Sequence, residues 1–320
     1  MQPHDERSCA ECSCATRRPP GGSMTSPGRT LRALLAAQDR PLMLPGAANA
    51  LTARVVEEAG FGAVYVTGAG VTNTYLGVPD HGILTLDELC GHVEAMCDVV
   101  GIPVVVDADT GFGNALNVQR TVRRLERAGA AGLQLEDQVS PKKCGHFAGK
   151  DVISVGEMVG KVRAAVDARR DDDLVIVART DARATEGLAA ACERMQAYSE
   201  AGADVLFVEA PESLEEMRYI TENVPGLHVA NMVEGGRTPV LPRRTLQELG
   251  FAVALYANAT MRGAVVGMRE VLAHLDKHGD TLEAGRLMIS WEDRQALVRK
   301  PEFDELEERY AATAERRRAR

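Results

Sequence analysis

Apolar residues fall along this chain in two alternating rhythms. Short runs rich in valine, leucine and alanine cover 41–47, 63–68, 103–109, 132–137, 175–181, 205–210, 227–232 and 251–257. Between them, 49–59, 116–128, 157–169, 187–201, 214–224 and 242–249 carry apolar residues at the three- and four-residue spacing of a helix that buries one face. Strand then helix, repeated, is the pattern of a parallel sheet whose crossovers are helical. Eight such runs in roughly 250 residues predict a closed (β/α)8 barrel of the TIM type rather than an open doubly wound sheet. No Gly-x-Gly-x-x-Gly turn follows the first run, so the sign of a dinucleotide fold is missing.

Beyond the last run, 262–278 reads as the closing helix and 290–310 as a charged helix with no partner inside the barrel. The expected organisation is therefore one barrel domain over 28–320, with a helical extension from about 260. Residues 1–27 are a different material, Pro, Gly, Ser and charge without periodicity, and are expected to form a disordered tail. That stretch lacks the apolar centre of a secretory signal, which makes a cytoplasmic location the expectation, and Met24 offers an alternative start. No apolar run approaches the roughly 18 residues of a membrane span. A net charge of −9 argues against nonspecific nucleic-acid binding, which depends on clustered Lys and Arg, and 316–320 reads as a solvated Arg-rich tail. Cys9, Cys12 and Cys14 lack a second ligand pair at zinc spacing, and Cys90, Cys97, Cys144 and Cys192 are scattered as in a reducing compartment.

Asp107, Asp109, Glu136, Asp137, Arg179, Asp181, Glu209 and Asn231 all fall at the carboxyl ends of the apolar runs. Barrel chemistry gathers there, because strand ends converge while helices hold the walls. Asp107 and Asp109 are two apart on a strand and so face one side, and like charges that close call for a cation between them. Glu136 adds a third oxygen, and a set with no histidine favours Mg2+ or Mn2+ over zinc. The competing reading is that these acids cap helices or pair with arginine. In the string Lys142-Lys143-Cys144-Gly145-His146, neighbouring positive charge would favour the Cys144 thiolate and let it exchange a proton near neutral pH. Its competing reading is an inert cysteine among solvated lysines.

From 45 to 281 the chain resembles the isocitrate lyase and phosphoenolpyruvate mutase superfamily. The strings that carry the likeness are Pro45-Gly46-Ala47, Thr67-Gly68-Ala69-Gly70, Gly77-Val78-Pro79-Asp80, Asp107-Ala108-Asp109-Thr110-Gly111, Leu135-Glu136-Asp137-Gln138, 142–146, 178–182 and 231–236. The loop is similar to that of its carbon–carbon lyases, methylisocitrate lyase and 2,3-dimethylmalate lyase. Segments 142–150 and 231–236 are also similar to carboxyphosphonoenolpyruvate phosphonomutase.

The resemblance implies that Asp107, Asp109 and Glu136, with Asp80, hold Mg2+ (or Mn2+) directly or through water. It implies that Thr67, Gly68 and Ala69 clasp the substrate carboxylate, and that Lys142, Gly145, Asn231 and Asn258 complete substrate binding. Arg179 would meet developing negative charge. Cys144 would deliver a proton, tuned by His146 and Glu209, and Tyr65 is either a base for the substrate hydroxyl or plain packing. Gly145 and Gly149 would let the loop close over the substrate. The expected activity is Mg2+-dependent cleavage of a substituted malate or 2-methylisocitrate-like 2-hydroxy acid to an oxo acid through an enolate-type intermediate. Phosphonomutase chemistry, hydrolysis or decarboxylation of oxaloacetate, and a catalytically silent binding barrel are the alternatives. Where relatives follow the eighth strand with Tyr-Pro-Leu-Ser, this chain has Tyr256-Ala257-Asn258-Ala259, which implies a different or more polar substrate substituent. Terminal helices swap between subunits in relatives, which implies a dimer or tetramer.

Overall fold

Eight strands run parallel and in chain order around a closed cylinder. They are β1 (Leu42–Ala47), β2 (Val64–Val66), β3 (Val104–Asp107), β4 (Gly132–Glu136), β5 (Val175–Thr180), β6 (Val205–Val208), β7 (Leu227–Asn231) and β8 (Val253–Tyr256). β8 pairs back onto β1, from Leu42 with Val253 to Pro45 with Tyr256, which closes the ring and bears out the (β/α)8 expectation. The computed structural model describes residues 25–37, 40–142, 149 and 151–318. Cys9, Cys12, Cys14 and Met24 lie outside the described residues, as do Lys143, Cys144, Gly145, His146 and Lys150 of the loop after β4.

The apolar runs are unbroken because both faces of each strand are buried. Leu42, Leu44, Tyr65, Val105, Val175, Val177, Val205, Phe207, Val229, Val253 and Leu255 fill the cylinder. Their neighbours Val64, Val66, Val104, Val106, Leu133, Leu135, Ile176 and Leu206 face the helical layer. That layer opens with α1 (Pro27–Ala36), α2 (Ala50–Glu58), a short α3 (Gly68–Val71) and α4 (Leu86–Cys97). It continues with α5 (Ala115–Arg127), α6 (Val155–Ala168), α7 (Leu188–Glu200), α8 (Leu214–Asn223) and α9 (Arg243–Glu248). Past the barrel come α10 (Ala259–His278), α11 (Trp291–Leu297) and α12 (Lys300–Arg318).

Three elements differ from the expected pattern. α1 starts on a Ser26 cap with Pro27 in its first turn, and its Leu31 and Leu35 plug the amino-terminal end of the cylinder. α4 fills the gap left between the second and third strands; Thr85 and Glu88 form a reciprocal cap, and Leu89, Cys90, Val93 and Met96 are buried. The single helix read over 290–310 is two, α11 and α12. Pro301 has no N–H to return to Leu297 and its ring would collide with that carbonyl, so the chain turns first, with Arg299 at φ 55°.

Leu31 is 2% exposed and packs among the first residues of the strands. Leu31→Ala is expected to lower the unfolding free energy by about 2–5 kcal/mol, read as a reduced urea midpoint at unchanged slope.

Candidate active site

The carboxyl ends of the strands enclose a cavity of about 240 Å3. Tyr65, Thr67, Ala69, Asp80, Asp107, Glu136, Lys142, Arg179, Glu209, Asn231 and Asn258 all line it, so most residues expected from the sequence converge. Cys144, Gly145 and His146 fall outside the described residues, and the neighbouring Lys142 reaches the cavity.

Asp107 ends β3, but Asp109 is not on the strand. It stands two residues further in a turn at φ 48°, so the same-face argument from strand alternation does not apply. The turn brings the acids together instead: Asp107 Oδ2 and Asp109 Oδ1 each lie 3.2 Å from where a Cβ on Gly68 would stand. Any side chain at 68 would press on both carboxylates, which is why the turn after β2 carries glycine there. Asp107 is oriented by a polar relay, in which Tyr65 Oη donates to Gln134 Oε1 at 3.0 Å and Gln134 Nε2 donates to Asp107 Oδ1 at 3.3 Å. Gln134 escaped the sequence reading although it is a buried polar residue between the two leucines of β4.

Two cations answer the acids. Lys142 Nζ stands 2.7 Å from Asp80 Oδ1 and 2.8 Å from Asp109 Oδ1. Arg179 gives two hydrogen bonds to Asp181, at 3.0 and 3.1 Å, and reaches Glu136 Oε2 at 3.1 Å and Glu209 Oε2 at 3.4 Å. Its guanidinium carbon sits 5.3 Å from the Phe207 ring centre. Asn231 Nδ2 donates to both Glu209 oxygens at 3.3 Å. Behind the wall, Asp137 accepts from Thr180 Oγ1, the Asp181 amide and Tyr198 Oη, and pairs with Arg194, locking the ends of β4 and β5.

Among the described residues, positive charge reaches the cluster from Lys142 and Arg179. Burial, with Asp107 and Asp80 alongside, pushes the Asp109 carboxyl up to about 7 against the pull of Lys142. Burial also drives Glu136 well above the carboxylate range despite Arg179. For Lys142, burial opposes the charge, and four carboxylates led by Asp109 outweigh it, so the ammonium holds its proton far more tightly than usual. Acids and amine alike retain protons, which is the behaviour of a cluster that would accept another cation. Among the described residues, Glu136 Oε1 is buried without a hydrogen-bond partner, and Asp109 Oδ1 faces Lys142 Nζ as its ion-pair partner. No three carboxylate, imidazole or thiol groups among the described residues close on one point. The donors present are oxygens, the type a hard divalent ion takes beside water and substrate oxygens.

Tyr65 behaves differently from the expected base. Burial, then Asp107, raises its phenol well above 10, and its hydrogen is committed to Gln134. It serves as a donor that steadies the wall.

A family model described as phosphoenolpyruvate phosphomutase matches residues 31–276. The chain belongs to the phosphoenolpyruvate phosphomutase family. It is 46% identical over 281 residues to a 2,3-dimethylmalate lyase of Eubacterium barkeri, covering 88% of this chain and 97% of that one. A 2-methylisocitrate lyase of Aeropyrum pernix is 47% identical over 253 residues, 79% of this chain and 81% of that one. A phosphonopyruvate hydrolase solved in complex with oxalate and Mg2+ superposes with a TM-score of 0.81 at 32% identity, covering 90% of this chain and 100% of that one. The residues at this barrel mouth thus sit in a chain whose named relatives are enzymes.

The pH dependence of stability follows from Asp109. Its carboxyl titrates at 3.8 in the ordinary case and at about 7 in the fold, so the folded chain holds this proton longer than the unfolded one. The stabilisation is complete below the ordinary value and is lost as pH rises from about 4 to 7. Asp109→Asn is expected to flatten that part of the profile in metal-free protein, checked by urea midpoints across the window.

Proposed function

We propose that the chain is a Mg2+-dependent carbon–carbon lyase that splits a substituted malate or 2-methylisocitrate-like 2-hydroxy acid into an oxo acid and a carboxylate fragment. The observation that carries this reading is the buried carboxylate cluster at the barrel mouth, in which Glu136 Oε1 has no hydrogen-bond partner among the described residues. The near full-length likeness to a dimethylmalate lyase supports the same chemistry.

Asp107, Asp109, Glu136 and Asp80 would hold the Mg2+ (Mn2+ being of the same hard class), in part through water. When bound, the ion polarises the substrate's 2-oxygen and offsets negative charge that develops as the bond breaks. The Mg2+ and oxalate named for the hydrolase structure support this assignment.

Gly68 and Ala69 open α3, where the first N–H groups of a helix have no acceptor within it, and would bind the 1-carboxylate. Arg179, aimed by Asp181 and backed by Phe207, would stabilise the enolate-like charge. Because its partners already hold it in place, it would not have to reorganise as the charge forms. Asn231, anchored on Glu209, would orient the departing fragment. Cys144, with His146 and Lys142 beside it in sequence, would protonate the carbon that loses its bond. That assignment rests on the sequence of the loop. The 2-hydroxyl proton would pass to water as its oxygen becomes the oxo group, the electrons of the broken bond pass into the departing fragment, and its new carbon–hydrogen bond takes the thiol proton.

With 2,3-dimethylmalate, 2-methylisocitrate, citramalate and oxaloacetate as test acids, at least one is expected to turn over with Mg2+ and none with a chelator. Cys144→Ser is expected to cut turnover by about a hundredfold or more while calorimetry still detects Mg2+ binding. Absence of Mg2+-dependent turnover of any of the four would sink the assignment.

The same reading includes a homo-oligomer. α10 has no buried residue, and Val266, Met268, Leu272, Trp291 and Phe303 on the terminal helices are each more than half exposed. Apolar surface of that extent on a helical arm calls for a cover, and a second copy offering its own arm supplies one. Light scattering is expected to give the mass of a dimer or tetramer, and removal of residues 280–320 to lower it. No helix among the described residues is long and apolar enough to cross a membrane, which is compatible with the cytoplasmic site of action we propose.

A further inference from the structure

Asn258 occupies a helix-capping position without capping. It precedes α10, where an asparagine side chain ordinarily accepts from the first free N–H groups, yet no such bond is made. Its Oδ1 accepts instead from Thr67 Oγ1 at 3.2 Å, while Thr67 Oγ1 accepts from the Gly70 amide at 3.1 Å. The relay sets the orientation of the amide. Thr67 has one hydrogen to give, and Asn258 Oδ1 is its acceptor among the described residues, which sets the carbonyl end of Asn258 toward Thr67. The Nδ2 end is left as a donor with no acceptor among the described residues, on a side chain that lines the cavity.

Backbone geometry makes the reach possible. A Cβ on Gly46 would stand 1.8 Å from the Ala257 carbonyl oxygen, so only glycine at the end of β1 lets the chain after β8 lie close over it toward β2. Leu255 and Ala257, at and just past the end of β8, line the cavity with Asn258.

We propose that Asn258 is a specificity-determining residue, and that the substrate carries a hydroxyl-bearing substituent whose oxygen accepts from Asn258 Nδ2, rather than a purely alkyl one. The inference deepens the lyase reading and rests on it. A site that leaves an amide donor unpaired beside a methyl group disfavours that substrate, whereas a hydroxymethyl group in the same volume satisfies the donor. The substrate class is thus a malate derivative oxygenated on the substituent that faces β8.

The test compares 2,3-dimethylmalate with its two analogues in which one methyl is hydroxymethyl. The natural chain is expected to favour one hydroxymethyl acid over dimethylmalate by about tenfold or more in kcat/KM. Asn258→Leu should remove or reverse that preference. Asn258→Asp retains an acceptor for Thr67 but loses the donor, and should shift the same ratio in the same direction while its melting temperature stays near that of the natural chain. Each ratio is taken within one protein, so a loss of folded fraction cancels. Where turnover is too slow to measure, the ratio of dissociation constants from calorimetry replaces it. A natural chain indifferent to the hydroxyl, or ratios unchanged in both variants, would overturn the role of Asn258 while leaving lyase activity intact. No Mg2+-dependent turnover of any malate derivative would instead mark failure of the lyase reading itself.

Discussion

Buried carboxylates crowd the mouth of this barrel, and the described part of the site is arranged around them. Asp80, Asp107, Asp109 and Glu136 are all buried, and among the described residues the cations that reach this group are Lys142 and Arg179. Burying a carboxylate is costly unless it is paired, and each cation here is divided among several acids. Protons held by Asp109 and Glu136 relieve part of the strain. A divalent ion would relieve it more completely, because it adds charge without demanding the protons.

The scaffold can keep such a cluster because its walls are over-determined. Asp137 ties the ends of β4 and β5 to α7 through Thr180, Tyr198 and Arg194, so the strands that carry Glu136 and Arg179 are joined twice, once by the sheet ladder and once by this polar knot. Gln134 and Tyr65 extend the support to Asp107 across β2, β3 and β4. Lys142 lies at the other limit. It is the last described residue before Cys144, and its ion pairs to Asp80 and Asp109 fix it on the cluster. Rigid strand ends and a buried lysine therefore meet at the same carboxylates, which holds the charges still.

Most of the architecture was legible before any coordinates. Fully apolar strands alternating with amphipathic helices announce a two-faced parallel sheet, and the acids cluster at strand ends where local pattern can find them. α4 was missed although its cap and buried spacing are present, because Cys90, Gly91 and His92 blur the apolar stripe. The break at Val298–Arg299 was missed because charge periodicity continues through it, whereas Pro301 forbids the backbone hydrogen bond. Asp107 and Asp109 were rightly paired for a wrong reason, since a left-handed turn rather than strand alternation brings them together.

What the chain's order of residues determined alone is the repeat of strand and helix, the end of the barrel that holds polar chemistry, and the identity of the loop that follows β4. Those follow from periods of two and of three to four residues, which are local. Which cation answers which acid, why Tyr65 keeps its proton, and how Asn258 meets Thr67 across 191 positions of sequence were decided only by closing the ring. Closure sets β8 against β1, and the bare backbone of Gly46 lets the following turn cross toward β2. Burial then raises the carboxyls of Asp109 and Glu136 and the phenol of Tyr65, an effect of the surrounding medium that no run of neighbouring residues contains.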